Sequence, residues 1–125
     1  MSTASSPTPG ILFISGDLMA GSWLAGPAAQ TGAKLDTAGS TVAALEMADR
    51  NPYRLAIIDL STAGKDLAAL VEGLRRANRS IHILAYGPHV QEHLLGGARD
   101  AGCDRVLTRG QFHAQAAEII ALGKQ

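Results

Sequence analysis

Leu55-Ala-Ile-Ile-Asp59 is the stretch of sequence that indicates the fold most clearly, because four apolar residues run without a break and end on a carboxylate. An apolar run of this length is typical of a strand that is buried on both faces of a parallel sheet. The segment behind it places apolar residues at helical spacing, at Leu67, Leu70, Val71 and Leu74. A buried strand followed by an amphipathic helix predicts a βα unit of a parallel α/β sheet.

The same unit recurs on both sides of this stretch, so the chain is expected to contain five strand and helix pairs. The other predicted strands are Ile11–Ile14, Leu35–Ala38, Ile81–Ala85 and Asp104–Thr108. The other helices are expected to begin near Asp17, at Ser40 or Thr41, and near Val90, and the last one carries Phe112, Ala116, Ile119 and Ile120 on its apolar face. Alternating strands and helices predict a parallel sheet that is covered on both faces.

Two prolines bear on the predicted helix boundaries. Pro27 falls inside the first helix, where its missing N–H predicts a kink. Asn51-Pro52 predicts the end of the second helix, which we expect to run through Met47, because the residue before a proline avoids the α region. The fourth helix is expected over Val90–Ala98.

Length and composition limit the classes of protein to which the chain can belong. The 125 residues are 46% apolar, which suits one domain with one core. We expect a flexible leader over residues 1–10 and one folded domain over residues 11–125. Lysine plus arginine balance aspartate plus glutamate at 11 each, so no net charge attracts nucleic acid or an anionic membrane. Cys103 is the one cysteine, which excludes an internal disulfide and fits a cytoplasmic protein.

Polar side chains follow the predicted strands, and the carboxyl ends of parallel strands meet at one edge of the sheet, where ligands bind. These residues are Ser15, Gly16 and Asp17 after the first strand, Asp59 after the third, Ala85 and Tyr86 at the end of the fourth, and Thr108 and Arg109 after the fifth. We therefore expect the functional site at this edge.

This layout resembles the receiver domain of bacterial response regulators, the CheY-like family. Asp59 ends the third strand as the phosphoacceptor aspartate of a receiver does, and Asp66-Leu67 follows at the expected distance. Ala101–Gly110 resembles the receiver pattern of a small-residue turn, a fifth strand and a lysine-proline pair. The resemblance implies an α/β, flavodoxin-like (CheY-like), doubly wound five-stranded parallel sheet with strand order 2-1-3-4-5 and helices on both faces. It covers nearly the whole chain after the leader.

The resemblance is weaker at the residues that a receiver needs for phosphoryl transfer. Receivers hold a divalent cation with adjacent acidic residues after the first strand, and these positions are Ser15 and Gly16 here. Asp17 lies one residue late, so at best one of the two expected carboxylates remains. We expect no cofactor and at most weak Mg²⁺ binding, through Asp17, Asp59 and Ser61.

The switch positions also depart from the receiver pattern. The hydroxyl residue after the fourth strand aligns with Ala85, which has no hydroxyl to donate, and the aromatic residue on the fifth strand aligns with Val106. Tyr86 is an alternative switch residue, although we expect a half-buried surface tyrosine there. Arg109 replaces the receiver lysine and Gly110 replaces the proline that follows it.

Asp59 also has a structural interpretation. The resemblance places Asp59 and Arg109 on neighbouring strand ends with opposite charges, which predicts an ion pair that orients a loop. Given the departures from the receiver pattern, this role is favoured over phosphoacceptance.

Other candidate residues carry weaker signals. His89 and His93 have i, i+4 spacing, but Val90 stands where a zincin motif has glutamate, so two exposed histidines are favoured over a metal site. Cys103 has no lysine or histidine beside it, which favours a small buried side chain over a reactive thiol. The sequence leaves the role of His113 open.

Three functions are consistent with these residues. The favoured one is a stand-alone pseudo-receiver, a signalling module that is not an enzyme and acts through protein–protein contact. Its partner is expected to be another signalling protein, bound through the fourth helix, the fifth strand and the last helix, or a second copy in a homodimer. The alternative is an atypical response regulator that is phosphorylated on Asp59 in a phosphorelay of a two-component system. The third is a flavodoxin-like domain that binds a small ligand at the same edge.

Overall fold

A computed structural model describes residues 10–88 and 91–124 of the chain, without the side chain of Lys124, and contains five strands. They are β1 Gly10–Ile14, β2 Leu35–Ala38, β3 Tyr53–Asp59, β4 His82–Gly87 and β5 Arg105–Thr108. All neighbouring strands are parallel and form one sheet in the order β2-β1-β3-β4-β5. The predicted fold class, with its strand order, is confirmed.

The helices follow the strands in the expected alternation. They are α1 Leu18–Thr31, α2 Thr41–Arg50, α3 Leu60–Ala63, α4 Leu67–Ala77, α5 Glu92–Asp100, α6 Arg109–Ala114 and α7 Ala116–Lys124. A 3₁₀ turn over Gly64–Asp66 joins α3 to α4. No helix in the described part of the chain is long and apolar enough to cross a lipid bilayer.

The sheet separates two apolar layers, because successive side chains of a strand point to opposite faces. Ile14, Ile58 and Ala85 belong to the layer that is covered by α2, α4 and α5. Phe13 and Tyr86 belong to the layer that is covered by α1, α6 and α7. β1 is buried along its whole length, which explains why its sequence is an uninterrupted apolar run.

The structure locates the end of the first helix, which the sequence left open, and extends the second helix beyond the expected end. α1 continues past Pro27 to Thr31, and Gly32 ends it in the left-handed region at φ 76°, which glycine adopts without strain. α2 runs to Arg50 and not only to Met47, so it keeps almost another turn before the proline.

The bounds of the fourth strand and of the last helix also differ from the expected ones. β4 is longer than expected and ends at Gly87. The last helix is divided at Gln115 into α6 and α7. The predicted leader lies outside the described residues except for Gly10, which belongs to β1, and Val90, the expected start of the fourth helix, also lies outside them.

Candidate functional site

Among the helices that begin at the carboxyl edge of the sheet, α1, α3 and α6 follow the predicted site residues, and a polar side chain caps each of these three. Asp17 Oδ1 accepts a hydrogen bond from the Met19 N–H at 3.0 Å and caps α1. Asp59 Oδ1 accepts from the Ser61 N–H at 3.0 Å and caps α3. Thr108 forms the capping box of α6. These caps fix the polar residues of the edge at the starts of the helices, where unpaired N–H groups need acceptors.

Asp59 is buried, with only 4% of the residue exposed. Its second oxygen, Oδ2, accepts a hydrogen bond from the Ser15 hydroxyl at 2.8 Å. The Ser15 oxygen in turn accepts from the Asp17 N–H at 3.1 Å. Each oxygen of the Asp59 carboxylate therefore has one partner among residues 10–88 and 91–124.

The two residues directly after β1, Ser15 and Gly16, have no carboxylate. The Ser15 hydroxyl is directed to Asp59, and Gly16 has no side chain, while its backbone N–H donates to Thr62 Oγ1 at 2.9 Å. Asp17 is the one carboxylate that follows β1, and it caps α1. Among residues 10–88 and 91–124, no three His, Cys, Asp or Glu side chains are placed to hold a metal ion together.

The expected ion pair between Asp59 and Arg109 is wrong. Both residues are described, and no salt bridge joins them. β4 lies between the strands that carry the two residues, so their strand ends are not neighbours and are separated by roughly 10 Å. Arg109 is exposed at the first position of α6, and its side chain lines the same cleft as Asp59.

Tyr86 is a core residue, so the expectation of a half-buried surface tyrosine is wrong. Only 2% of it is exposed, and its ring stacks on that of Phe112 with centroids 4.3 Å apart and an interplanar angle of 7°. Phe13 lies on the sheet beside it, at 6.4 Å between centroids. Burial raises the pKa of Tyr86 above its usual range, and the negative charge of Asp59 raises it further. The phenol therefore stays protonated beside the carboxylate.

Ala85 and Val106, which were expected at the switch positions, lie on the opposite face of the sheet from Tyr86. Ala85 is fully buried in the layer covered by α2, α4 and α5, and Val106 packs against that layer. Side chains alternate between the two faces along β4, so Tyr86 lies in the layer of Phe13 and Ala85 lies in the opposite one. Gly87 has no side chain, so it donates no side-chain hydrogen bond at the strand end either.

A cleft of about 350 Å³ opens at the carboxyl edge of the sheet. Its lining residues are Asp17, Met19, Ala20, Trp23, Asp59, Tyr86, Arg109 and His113. The structure thus brings together four residues that the sequence placed at this edge, namely Asp17, Asp59, Tyr86 and Arg109. The other four come from α1 and α6, whose side chains the strand pattern does not locate.

Trp23 forms one wall of the cleft, although the sequence pattern did not predict it at this site. It is the one tryptophan of the chain, and it is 41% exposed. Its ring lies 4.4 Å from that of His113 and 6.2 Å from that of Phe112, measured between centroids. Its position within two turns of the Asp17 cap is the signal that would have located it, because the start of α1 lies at the sheet edge.

The remaining candidate residues do not belong to the cleft. His93 is exposed on α5, and its predicted neighbour His89 lies outside the described residues. Cys103 is half-buried in the turn before β5, and burial raises the pKa of its thiol to about 11, which keeps it protonated at neutral pH.

No protein-family model matches the chain, and no curated protein matches it in sequence. Solved structures do match its fold. The chain superposes with a TM-score of 0.76 on a response regulator receiver domain protein from Clostridium thermocellum, at 14% identity, covering 93% of this chain and 94% of that one. A two-component response regulator from Clostridium difficile gives a TM-score of 0.73 at 21% identity, covering 89% and 94%.

A third similar structure contains an occupied site. It is a response regulator protein from Burkholderia pseudomallei with a phosphorylated aspartic acid, a calcium ion and citrate, with a TM-score of 0.76 at 17% identity. The match covers 90% of this chain, and this chain spans only 66% of the length of that one. At such identities the likeness establishes the fold: the described part of the chain has the CheY-like fold of response-regulator receiver domains.

Proposed function

We propose that the chain is a receiver-like signalling module that acts through contact with another protein and whose phosphorylation site is degenerate. The observation that carries this proposal is the Ser15 hydroxyl, which donates to Asp59 at 2.8 Å. The resemblance to receivers assigns this serine to a position where they have a metal-binding carboxylate. This contact gives Asp59 a structural role at the end of β3. The proposed output is then a surface of the domain and not a chemical step.

The charges of the cleft also support the proposal. Phosphoryl transfer to a carboxylate needs a cation that neutralises the phosphoryl oxygens. The cleft lining contains two carboxylates, Asp17 and Asp59, and one permanent cation, Arg109. A phosphoryl group would therefore add negative charge to a lining that already carries an excess of it.

Two faces of the domain are candidates for the contact. The first is the face proposed from the sequence, which consists of α5, β5, α6 and α7 and exposes Glu92 and Arg99. The second is the start of α1, where Leu18 is 85% exposed and Met19 is 78% exposed. Adjacent large apolar side chains in water are typical of binding surfaces, because leaving them exposed is unfavourable. Homodimerisation through either face remains part of the proposal.

A capture experiment tests the contact and distinguishes the two faces. Tagged protein is purified from its own cells in three variants: Leu18→Glu with Met19→Glu, Glu92→Lys with Arg99→Glu, and Arg54→Glu. Arg54 is exposed near the amino end of β3, at the opposite edge of the sheet, and serves as the control. We expect one of the first two variants to lose a partner that the wild type and the control retain. Retention of the same partner by all three variants would contradict both proposed faces.

The second candidate function is phosphoacceptance by Asp59 in a phosphorelay. One observation favours it: Asp17, Asp59 and Arg109 line the same cleft, so a remodelled site would have a carboxylate and a cation close to Asp59. A magnesium titration followed by amide NMR separates the two candidates. The proposed function predicts that millimolar Mg²⁺ leaves the amides around Asp59 unchanged. Saturable shifts at Asp17, Asp59 and Ser61 would favour the phosphoacceptor.

A further inference from the structure

The buried carboxylate of Asp59 has unused hydrogen-bonding capacity. A carboxylate has about four lone-pair positions, and the residues that the structure describes fill two of them, with the Ser15 hydroxyl and the Ser61 N–H. In the part of the chain that the structure describes, no lysine, arginine or histidine forms a salt bridge with it. A buried carboxylate without a cation is unfavourable, so a cationic group that entered the cleft would be stabilised there.

The positive charge of the same cleft lies at a different strand end. Asp59 ends β3 and Arg109 follows β5, with β4 and Tyr86 between them. Two strand spacings correspond to roughly 10 Å at the backbone, and both side chains line the cleft. The gap therefore leaves room for a small molecule with one charged group near each side chain.

The walls between these charges are aromatic and apolar. Trp23, Tyr86 and Met19 line the cleft together with Ala20. Its volume of about 350 Å³ lies at the small end of the range for ligand pockets. An aromatic face also attracts an ammonium group through its ring electrons. The lining suits a compact ligand with a short apolar body.

We propose that the cleft binds a small organic zwitterion of the amino-acid class. Its ammonium group would pair with Asp59, its carboxylate would pair with the guanidinium of Arg109, and its apolar body would pack on Trp23 and Met19. A zwitterion matches both signs of charge in the lining, whereas a phosphate meets an excess of carboxylates and a metal ion meets too few of them. This inference goes beyond the proposed contact function and does not depend on which partner the domain binds.

The fluorescence of Trp23 provides the assay, because the one tryptophan of the chain lies in the cleft wall. The standard amino acids are titrated singly into the wild-type protein at up to millimolar concentration, with L-leucine as the reference probe. Leucine is compared with 3-methylbutylamine, which lacks the carboxylate, and with 4-methylpentanoate, which lacks the ammonium group. We expect saturable binding of at least one amino acid, and a loss of about tenfold or more in affinity when either charge is removed from it.

Variants assign the two charges to their partners. The wild type is expected to bind the amino acid more tightly than either analogue. Asp59→Asn should abolish this preference over the analogue that lacks the ammonium group. Arg109→Gln should abolish the preference over the analogue that lacks the carboxylate. Arg54→Gln changes an exposed arginine near the amino end of β3 that does not line the cleft, and it should leave both preferences unchanged. If Asp59→Asn fails to fold, the comparison of analogues on the wild type still decides.

Two outcomes would overturn the proposal. The first is the absence of any saturable response of Trp23 to the amino acids. The second is equal affinity for the zwitterion and for the amine alone, which would show that Arg109 does not bind the carboxylate.

Discussion

At the level of single residues, Ser15 links the carboxylate of Asp59 to the backbone N–H of Asp17. Its hydroxyl donates to Asp59 and accepts from the Asp17 N–H, and only 2% of the residue is exposed. A carboxylate in a buried position depends on such donors, because water cannot replace them. The serine is therefore a structural residue of this edge, which its place in a receiver alignment did not predict.

Removing this hydroxyl tests that role. We expect Ser15→Ala to lower the free energy of unfolding by about 1–3 kcal/mol, because one oxygen of a buried carboxylate loses its donor. Urea unfolding measures the change. Ser61→Ala is the matched control, since Ser61 contacts Asp59 through its backbone N–H, which alanine keeps, and a change within about 0.5 kcal/mol is expected. Equal losses in the two variants would contradict a structural role for the Ser15 hydroxyl.

The folded protein is expected to lose stability at high pH, because the pKa values of both tyrosines are raised. Burial raises the pKa of Tyr86 and of Tyr53 above the usual value of 10.0, and Tyr53 also donates to Asp36 Oδ2 at 2.7 Å. Above about pH 10 the unfolded chain releases phenolic protons that the folded chain retains, so stability is full below this pH and falls as the pH rises above it. Tyr86→Phe should weaken this fall. Phenolate absorbance that appears near pH 10 in the folded protein would contradict the prediction.

The sequence predicted which residues lie at this edge better than it predicted their contacts. Asp17 and Asp59 follow buried strands, and the strand pattern alone located them. The burial of Tyr86 depends on Phe13 and Phe112, which are distant in the chain and approach it only through the fold. The prediction of an ion pair was wrong because β4 separates the strand ends of Asp59 and Arg109.

At the level of elements, α7 packs closely on the sheet through Gly123. A Cβ at this position would overlap Ile11 Cγ1 and would lie 2.7 Å from Ile11 Cδ1. Glycine is therefore needed for the approach of α7 to β1, and not for an unusual backbone angle. This agrees with a chain that is rich in small residues and poor in aromatic ones, whose helices lie near the sheet.

A pair of glycine substitutions tests this packing. Gly123→Ala is expected to lower the free energy of unfolding by about 1–3 kcal/mol, because the added methyl group overpacks the core. Gly96→Ala is the control within α5, where no heavy atom lies within 4 Å of the new Cβ. It is expected to raise stability by about 0.5–1 kcal/mol through helix propensity. Thermal unfolding of the two variants should shift in opposite directions, and a shared direction would contradict the close approach.

The contacts of Arg75 could not be predicted from the helix pattern. It lies in the last turn of α4 and donates to the carbonyl of Ile81 at 2.9 Å and to the carbonyl of Gly102 at 2.7 Å. It also pairs with Asp104 at 3.1 Å. These acceptors belong to the start of β4 and to the turn before β5, so the arginine joins three elements. Backbone carbonyls carry no sequence signal, and only the fold brings them together.

For the whole molecule, the sheet and its order could be predicted because each strand is an apolar run between polar turns. The ends of the helices could be predicted less accurately than the strands, since Pro27 and Asn51-Pro52 constrain the backbone only near themselves. The site was predicted by position and not by geometry, because its walls come from α1 and α6. Trp23 and His113 meet there although they lie at opposite ends of the chain.

The central claim is that this receiver fold retains Asp59 as a structural residue and not as a phosphoacceptor. The most direct test is the intact mass of the purified protein after incubation with acetyl phosphate and Mg²⁺, beside a receiver that phosphorylates itself under the same conditions. We predict no phosphoryl adduct on the wild type, so that it matches Asp59→Asn. A stoichiometric adduct of one phosphoryl group on the wild type, absent from Asp59→Asn, would contradict the claim.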